Sequence, residues 1–383
     1  MEHVIGQLLP ADEQFCHQVT ETFATTGSTD PAWTEKVCAM AAAKDGSLQL
    51  GFGLGKYTNR NVMDAYAGVS RGVEQITVRA SRRLDPEPEL TVIGPIRYEI
   101  IEPLEVIRFV LEANEVQPIS FDWTFEGVLP CRTEDRTHQR TGYRVSADLV
   151  RFHQIGTCHG WIDIAGERHE MSPDTWVSTR DHSWGVRYGV GVEPTDLQPR
   201  PTIPGTYEFA WSPMLMETTD GSPYGIFLNF GFMEAPGHSS RTIMGGIEHV
   251  DGRFEKFVDA RPDLRYDSTN RRLLGGTVDL TLADGSTRRL EVEAVSDTGF
   301  HLGTGGYFGF DGHHHGQWHG DLHTEGEWLA DCSELATAQR VHQIRDTVVR
   351  ITDSAGGTGI GNWQPMIYGA FPHLGLTADS TFI

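Results

Sequence analysis

The chain has 383 residues, which is long for one hydrophobic core, so we expect two domains. Its formal net charge is −22, from 53 acidic and 31 basic residues, and this acidity argues against binding to nucleic acid or to an anionic membrane surface. Five scattered cysteines without a C-x-x-C pair, no basic secretory start and no apolar run of about 18 residues predict a cytoplasmic protein without a membrane span.

The first part of the chain has the pattern of short strands. Residues 10–25 are the exception, because Phe15, Val19 and Phe23 recur at helical spacing and predict a helix. From residue 33 to residue 164, apolar runs alternate with turn residues such as Asp45-Gly46, which is typical of hairpins. Residues 105–112 fit either a strand or a helical turn.

After a proline-rich stretch, the second part of the chain again has the pattern of short strands separated by turns. Residues 189–206 contain four prolines and predict a linker between an N-terminal domain at 1–188 and a C-terminal domain at 207–383. Asp-Gly pairs at 220–221, 251–252 and 284–285 each separate two strand-like runs. We therefore expect a mainly β fold of two antiparallel domains packed side by side.

Residues 180–187, Arg-Asp-His-Ser-Trp-Gly-Val-Arg, concentrate charged and aromatic groups in the middle of the chain. As a strand, this segment places Arg180, His182 and Trp184 on one face. Asp181 and Arg187 then lie on the opposite face. The segment then belongs either to a functional site or to a buried ion network that holds two domains together.

Residues 313–323 are a second segment that concentrates possible functional groups, because five of its eleven residues are histidines. As a strand, they line one face with His313, His315, His319, Asp321 and His323. Such a face suits a polar wall or a proton-handling surface better than a zinc or iron site, because alternate strand positions lie about 6.7 Å apart.

Aromatic residues near residue 207 and near the C-terminus are further candidates. Tyr207, Glu208 and Trp211, together with Trp363, line a ligand pocket or pack a core. The chain contains no P-loop, no G-x-S-x-G elbow, no H-E-x-x-H and no Rossmann fingerprint, which argues against nicotinamide, flavin and ATP chemistry.

The segment Arg180-Asp181-His182-Ser183-Trp184-Gly185 resembles the carotenoid 1,2-hydratase (hydroxyneurosporene synthase) and AttH-like superfamily. The stretches at 318–320 and 361–365 are similar to a bacterial branch of it. The resemblance implies two lipocalin-like β domains and a long apolar cavity for a lipid-like ligand. It also implies cofactor-free chemistry at a C=C bond, either hydration or cyclisation.

The resemblance carries over residue by residue. The family's His-x-Trp pair falls on His182 and Trp184. Its downstream Tyr-x-Asp has no counterpart, because residues 207–209 are Tyr-Glu-Phe. Glu208, Asp181 or a histidine of residues 313–323 would then supply the proton.

We therefore expect a cofactor-independent lyase or isomerase that acts on a hydrophobic isoprenoid- or polyketide-like substrate. Its catalytic residues would be Asp181, His182, Trp184 and Arg187, and it would use no metal. The alternative is a non-catalytic carrier of an apolar ligand, and a histidine metalloenzyme is a third hypothesis. We expect no nucleic-acid partner and leave a homodimer open. The expected substrate-binding residues are Tyr207, Glu208, Trp211, His315, Trp318, His319, Asp321 and Trp363.

Overall fold

The computed structural model describes residues 6–18, 27–198 and 205–382. Strand residues make up 58% and helical residues 7%, so the predicted mainly β class is confirmed. The helices are α1 (Leu335–Val341) and the short 3₁₀ segments Pro10–Glu13, Thr58–Arg60, Leu302–Gly305, Tyr307–Gly312 and Pro372–Leu374. The strands are β1 (Trp33–Ala43), β2 (Gln49–Tyr57), β3 (Val62–Arg71), β4 (Glu74–Arg83), β5 (Val92–Ile93), β6 (Ile96–Glu102), β7 (Val106–Leu111), β8 (Ile119–Gly127), β9 (Arg132–Thr133), β10 (Thr137–Thr141), β11 (Arg144–Ile164), β12 (Glu167–Met171), β13 (Trp176–Val186), β14 (Thr206–Glu217), β15 (Pro223–Ala235), β16 (His238–His249), β17 (Phe254–Tyr266), β18 (Leu273–Leu282), β19 (Thr287–Ala294), β20 (Phe300–His301), β21 (Leu322–Leu329), β22 (Arg345–Asp353) and β23 (Thr358–Tyr368).

The first sheet is antiparallel and has the order β21-β4-β3-β2-β1-β13-β11-β8-β7-β6-β5. Its edge strand β21 comes from the second half of the chain and pairs with β4. The second sheet runs β19-β18-β17-β16-β15-β14-β23-β22, and pairing between β19 and β22 closes this ring into a barrel. Two antiparallel units side by side are therefore confirmed, whereas the exact division at 188 and 207 stays a prediction.

Strand alternation explains the cores of both sheets. In β1, Val37, Ala39 and Ala41 face the interior of the first sheet, whereas Met40 and Ala42 face the second sheet. The same alternation holds in the second sheet, and its interior is filled by a separate apolar cluster. A smaller apolar cluster joins the outer faces of the two sheets and contains Met40, Ala42, Leu129, Ile155, Val177, Leu215 and Val348.

Three glycines of β2 leave room for aromatic rings on the outer face of the first sheet, one of them from the second half of the chain. Gly51, Gly53 and Gly55 alternate along the outer face of β2. A Cβ atom at Gly51 would lie 2.5 Å from the Phe300 ring, and one at Gly53 would overlap the Tyr66 ring. The Gly-x-Gly-x-Gly pattern thus serves close packing of aromatic rings against a strand.

Several local predictions have clear outcomes. The strand alternative for 105–112 is right, because β7 covers Val106–Leu111, and each Asp-Gly pair lies in a turn. The helix predicted at 10–25 is wrong for 14–18, because the 3₁₀ turn Pro10–Glu13 ends there and irregular backbone follows. Residues 19–25 lie outside the described residues. The strand predicted at 313–323 is wrong up to residue 321, because β21 begins at Leu322. The linker prediction falls partly on 199–204, which are also outside the described residues.

Across the described parts of the chain, no helix has the length and apolar character needed to cross a membrane.

Candidate functional site

A polar group that we call the interface cleft lies on the outer face of the first sheet. It is formed by Lys36, Cys38, Arg151 and Asp181 of that sheet and by Tyr307 from the second half of the chain. Cys38 pairs directly with Asp181 across β1 and β13, and residue 151 is on the neighbouring strand β11. Solvent still reaches the group, because the side chains of Asp181 and Arg151 retain 12% and 22% exposure. Cys38 and Tyr307 are half-buried.

Asp181 is the carboxyl group of the interface cleft. Arg151 Nε lies 3.1 Å from its Oδ2 atom. Burial raises the pKa of Asp181 above its ordinary value, although the charges of Arg151 and Arg187 act in the opposite direction. A buried carboxyl group with a raised pKa holds its proton more readily than a surface carboxyl does, and can donate it to a bound molecule.

Lys36 lies deeper, behind the ring of Tyr307. Its Nζ atom is 2.7 Å from His315 Nε2 and 4.2 Å from the centre of the Tyr307 ring. Burial lowers the pKa of Lys36 to about 8. Burial, together with the charge of Lys36, lowers the pKa of His315 to about 4, so His315 is a neutral acceptor for the lysine.

A second carboxyl group reaches this region from the second sheet. Asp346 accepts hydrogen bonds from Asn362 Nδ2 at 2.9 Å and from Gln364 Nε2 at 2.6 Å. Burial raises the pKa of Asp346 to about 6, and the charge of Asp181 adds to this rise. The interface cleft thus has an acidic group on each side, one from each sheet.

A chain of buried polar contacts extends from the interface cleft along the boundary between the sheets. His153 Nε2 on β11 lies 2.9 Å from Glu248 Oε1 on β16, and its ring stacks on Phe227 at 3.7 Å. Trp211 Nε1 donates to Glu134 Oε1 over 2.9 Å. These contacts fix how the two sheets lie against each other.

The opposite face of β13 points into the first sheet and meets a different network. Arg180 donates from both Nη atoms to the Glu13 carboxylate at 2.8 Å each. His182 lies between Glu13 and Glu35 with no exposed surface. Burial lowers the pKa of His182, but the two carboxylates outweigh this effect and raise it to about 9.

A histidine-rich cleft of about 40 Å³ lies on the outer face of β3 and β4. The rings of His313, His319 and His323 form a stack with centroid distances of 5.3 and 5.2 Å. Glu325 Oε1 accepts a hydrogen bond from Arg79 Nε over 2.8 Å, and Glu325 Oε2 lies 3.4 Å from His323 Nε2. His313 and His319 therefore come from a loop and His323 from the start of β21, rather than all three from one strand face.

Comparison with known sequences gives one family. The pattern of a family described as "Family of unknown function (DUF8625)" matches residues 8–377, which is nearly the whole chain. The chain belongs to this family. A search of curated proteins finds no match.

Solved structures similar to this DUF8625 chain are distant in sequence. An AttH-type protein from Nitrosomonas europaea has 12% identity, with 87% of this chain and 92% of that chain covered and a TM-score of 0.50. CghA with Sch210972 has 12% identity, 88% of both chains covered and a TM-score of 0.49. Kievitone hydratase from Nectria haematococca has 10% identity, covers 92% and 94%, and has a TM-score of 0.43. The first likeness shows a shared fold, so the AttH-like resemblance is confirmed for the fold. The other two TM-scores are below 0.5 and support no conclusion about this chain.

Four of the predicted site residues of the DUF8625 chain come together between the sheets. Asp181 belongs to the interface cleft, and Arg187 donates to Ser183 Oγ over 3.4 Å close to it. His315 contacts Lys36 from the far side, and the ring of Trp211 lies 6.0 Å from Arg151 Cζ. The sequence placed His315 and Asp181 in one site although 134 positions separate them.

His182 and Trp184 lie on the other face of the first sheet. The Trp184 ring stacks on His17 at 3.6 Å, and His182 packs against Phe15 at 5.2 Å. The N-terminal segment thus occupies the space where the resemblance implied a cavity. His182 and Asp181 therefore face different surroundings, as strand alternation requires.

The remaining predicted residues are dispersed. Glu208 and Trp363 point into the second barrel, where Tyr266 Oη donates to Glu208 Oε1 over 3.1 Å and burial raises the pKa of Glu208 to about 7. Tyr207 is half-buried on the opposite face of β14. His319 lines the histidine-rich cleft, whereas Trp318 is 52% exposed and Asp321 forms a surface ion pair with Arg83 at 3.2 Å.

Sequence reasoning missed Lys36, Cys38, Arg151, Tyr307 and Asp346. A signal existed for Lys36, because a lysine directly before the apolar run 37–43 of one predicted strand is unusual. Tyr307 and Asp346 gave no comparable signal, since ordinary loop and strand residues surround them.

Proposed function

We propose that the chain is an acid–base enzyme of the lyase or isomerase class that acts at a C=C bond of a hydrophobic substrate in the interface cleft. The observation that carries the proposal is Asp181, a buried carboxyl group with a raised pKa that solvent still reaches. Proton transfer alone suffices for hydration, dehydration or cyclisation of an isoprenoid- or polyketide-like molecule.

In the hydration direction, the carboxyl proton of Asp181 passes to one alkene carbon, and the π electrons form the new C–H bond. Water adds through its oxygen to the neighbouring carbocation, and the proton it loses returns to the Asp181 carboxylate. The reverse order of the same steps is dehydration. Arg151 at 3.1 Å holds the carboxyl group in place throughout.

Two aromatic rings are suited to stabilise the positive charge that develops. The ring of Tyr307 already faces a cation at 4.2 Å, and the ring of Trp211 faces another at 6.0 Å. Aromatic faces attract a carbocation by the same electrostatic interaction. The phenol of Tyr307 is also a donor for a polar group of the substrate, because burial holds its pKa well above the ordinary value.

The rest of the boundary between the sheets is a packed apolar cluster. An apolar cluster that includes Met40 and Val177 continues from the interface cleft. It leads to a cleft of about 200 Å³ in which Val177, Leu215 and Ile360 form the apolar part of a lining that also contains Lys44, Glu217 and Arg350. Val177 is four residues before Asp181 on β13, about 13 Å along the strand, which suits a substrate with an extended apolar part.

The experiment begins with untagged protein, native mass spectrometry and extraction of the bound lipophiles. A recovered compound, or related isoprenoid and polyketide alkenes, is then incubated with wild type, Asp181→Asn and Glu208→Gln. Both substitutions remove a carboxyl group with little change in shape, and Glu208 is the matched control in the second barrel. We expect Asp181→Asn to lower turnover at least about a hundredfold and Glu208→Gln to retain it.

Two outcomes would contradict the proposal. Loss of turnover in Glu208→Gln but not in Asp181→Asn would place the chemistry in the second barrel. A lipophile that binds tightly and is recovered unchanged under all conditions would support the carrier alternative instead.

A further inference from the structure

Two imidazoles and one carboxylate converge inside the first sheet, on the face of β13 opposite the interface cleft. His17 Nδ1 lies 2.5 Å from Glu35 Oε1, and His182 Nε2 lies 3.2 Å from the same oxygen. One ligand atom of each residue lies within 4.8 Å of a ligand atom of both others. We propose that His17, Glu35 and His182 bind a divalent transition-metal cation, with Zn²⁺ as the best-matched ion.

The geometry requires little adjustment for such an ion. Zinc bonds to imidazole nitrogen and carboxylate oxygen are about 2.1 Å long, which puts neighbouring ligand atoms of a tetrahedral site about 3.4 Å apart. The separation between His182 and Glu35 is 3.2 Å already. The pair of His17 and Glu35 must open by about 1 Å, and His17 lies on an irregular segment outside the regular strands.

His17 has the outer hydrogen bond that metal-bound imidazoles usually have, and His182 has a carboxylate close to its remote nitrogen. His17 Nε2, the nitrogen away from Glu35, lies 3.1 Å from Asp12 Oδ1. His182 Nδ1, the nitrogen away from Glu35, lies 3.5 Å from Glu13 Oε1, close enough for an ion pair but without a hydrogen bond. A carboxylate at the remote nitrogen holds that nitrogen protonated and leaves the other free to coordinate a cation. The complete arrangement at His17, together with a carboxylate close to the remote nitrogen of His182, supports the proposal.

The surrounding charges favour a cation. Three carboxylates, Asp12, Glu13 and Glu35, surround the group. Arg180 pairs with Glu13, and Lys56 Nζ donates to the Phe15 carbonyl oxygen nearby. Negative charge therefore exceeds positive charge when both imidazoles are neutral, and a dication reverses this imbalance.

A bound ion would join three separate parts of the chain. His17 belongs to the N-terminal segment, Glu35 to β1 and His182 to β13. The ion would therefore anchor residues 10–18 inside the first sheet and act as a structural centre. This inference is independent of the proposed reaction, because the interface cleft lies on the other side of β13.

The test uses the full-length, untagged protein after treatment with a chelator. It is titrated with Zn²⁺ for native mass spectrometry and thermal unfolding, and with Co²⁺ for visible absorption. We expect one ion per chain, visible Co²⁺ bands of a four- or five-coordinate site, and a thermal midpoint that rises with Zn²⁺ concentration. X-ray absorption of the wild-type zinc protein should give two imidazole ligands.

Two variants separate this site from the histidine-rich cleft. We expect His17→Ala to weaken Zn²⁺ binding at least about a hundredfold, because one of three protein ligands is lost. His323→Ala removes an imidazole from the other cluster and should leave the affinity unchanged. The proposal is overturned if wild type binds no stoichiometric ion, if three or more imidazoles are counted, or if only His323→Ala abolishes binding.

Discussion

Lys36 and His315 are 279 positions apart in the sequence, yet Lys36 Nζ approaches His315 Nε2 to 2.7 Å. The contact joins β1 to the loop that follows Tyr307, and so forms the deep wall of the interface cleft. Gly316 N donates to Asp64 Oδ2 at 2.6 Å and holds the same loop on β3. The candidate site therefore depends on the second half of the chain lying on the first sheet.

The phenol of Tyr307 gives a prediction about activity. Its Oη lies 2.9 Å from Cys38 Sγ at the edge of the interface cleft. We expect Tyr307→Phe to lower kcat by about 10- to 100-fold, because one donor to the substrate is lost while the ring still packs. Tyr143→Phe is the control, since Tyr143 is 95% exposed. Turnover equal to wild type in Tyr307→Phe would remove this residue from the mechanism.

His153 gives a prediction about pH and stability. Burial lowers its pKa, but Glu248 and Glu134 outweigh this effect and raise it to about 9 in the folded protein, above the ordinary value of about 6.5. Its stabilising contribution is therefore complete below about pH 6.5 and is lost as the pH rises through about 9. We expect the difference in unfolding free energy between wild type and His153→Gln to shrink by about 3 kcal/mol over this range.

The control for this measurement is His159→Gln on the same strand, because the His159 side chain is 50% exposed. Urea denaturation at several pH values measures both differences. A difference for His153→Gln that does not change with pH would mean that His153 is not charged in the folded protein.

Arg180 gives a prediction about the network inside the first sheet. Arg180→Met leaves the Glu13 carboxylate buried without its bidentate partner, and we expect a loss of about 3–5 kcal/mol in the free energy of unfolding. Arg168→Met removes an exposed ion pair with Glu170 and should cost less than about 1 kcal/mol. Equal losses in the two variants would contradict the role of the buried pair.

Gly51 gives a prediction about the packing of the second half of the chain on β2. In Gly51→Val the new side chain displaces the Phe300 ring, and we expect a loss of about 1–3 kcal/mol together with faster proteolysis within residues 302–321. Gly6→Val is the control, because nothing lies within 4 Å of that position. Unchanged proteolysis in Gly51→Val would show that Phe300 does not hold this segment on the sheet.

Much of the fold followed from local sequence pattern. Period-two alternation and Asp-Gly turns predicted the strands, and the alternation in β13 correctly separated Asp181 from His182. The pattern failed for residues 313–321, where closely spaced histidines alternate as in a strand. Lys36, Asp64 and the glycine-rich backbone instead hold this segment as a loop.

The sequence by itself determined the mainly β class, the two antiparallel units and the faces of the central strand, because each depends on neighbours within a few residues. Only the tertiary structure decided which residues share a site. Asp181, Tyr307 and Asp346 lie in one region because the second half of the chain packs on the outer face of the first sheet, and His17 meets His182 because the N-terminal segment enters the first sheet. Such contacts depend on the packing of distant segments, which no local spacing encodes.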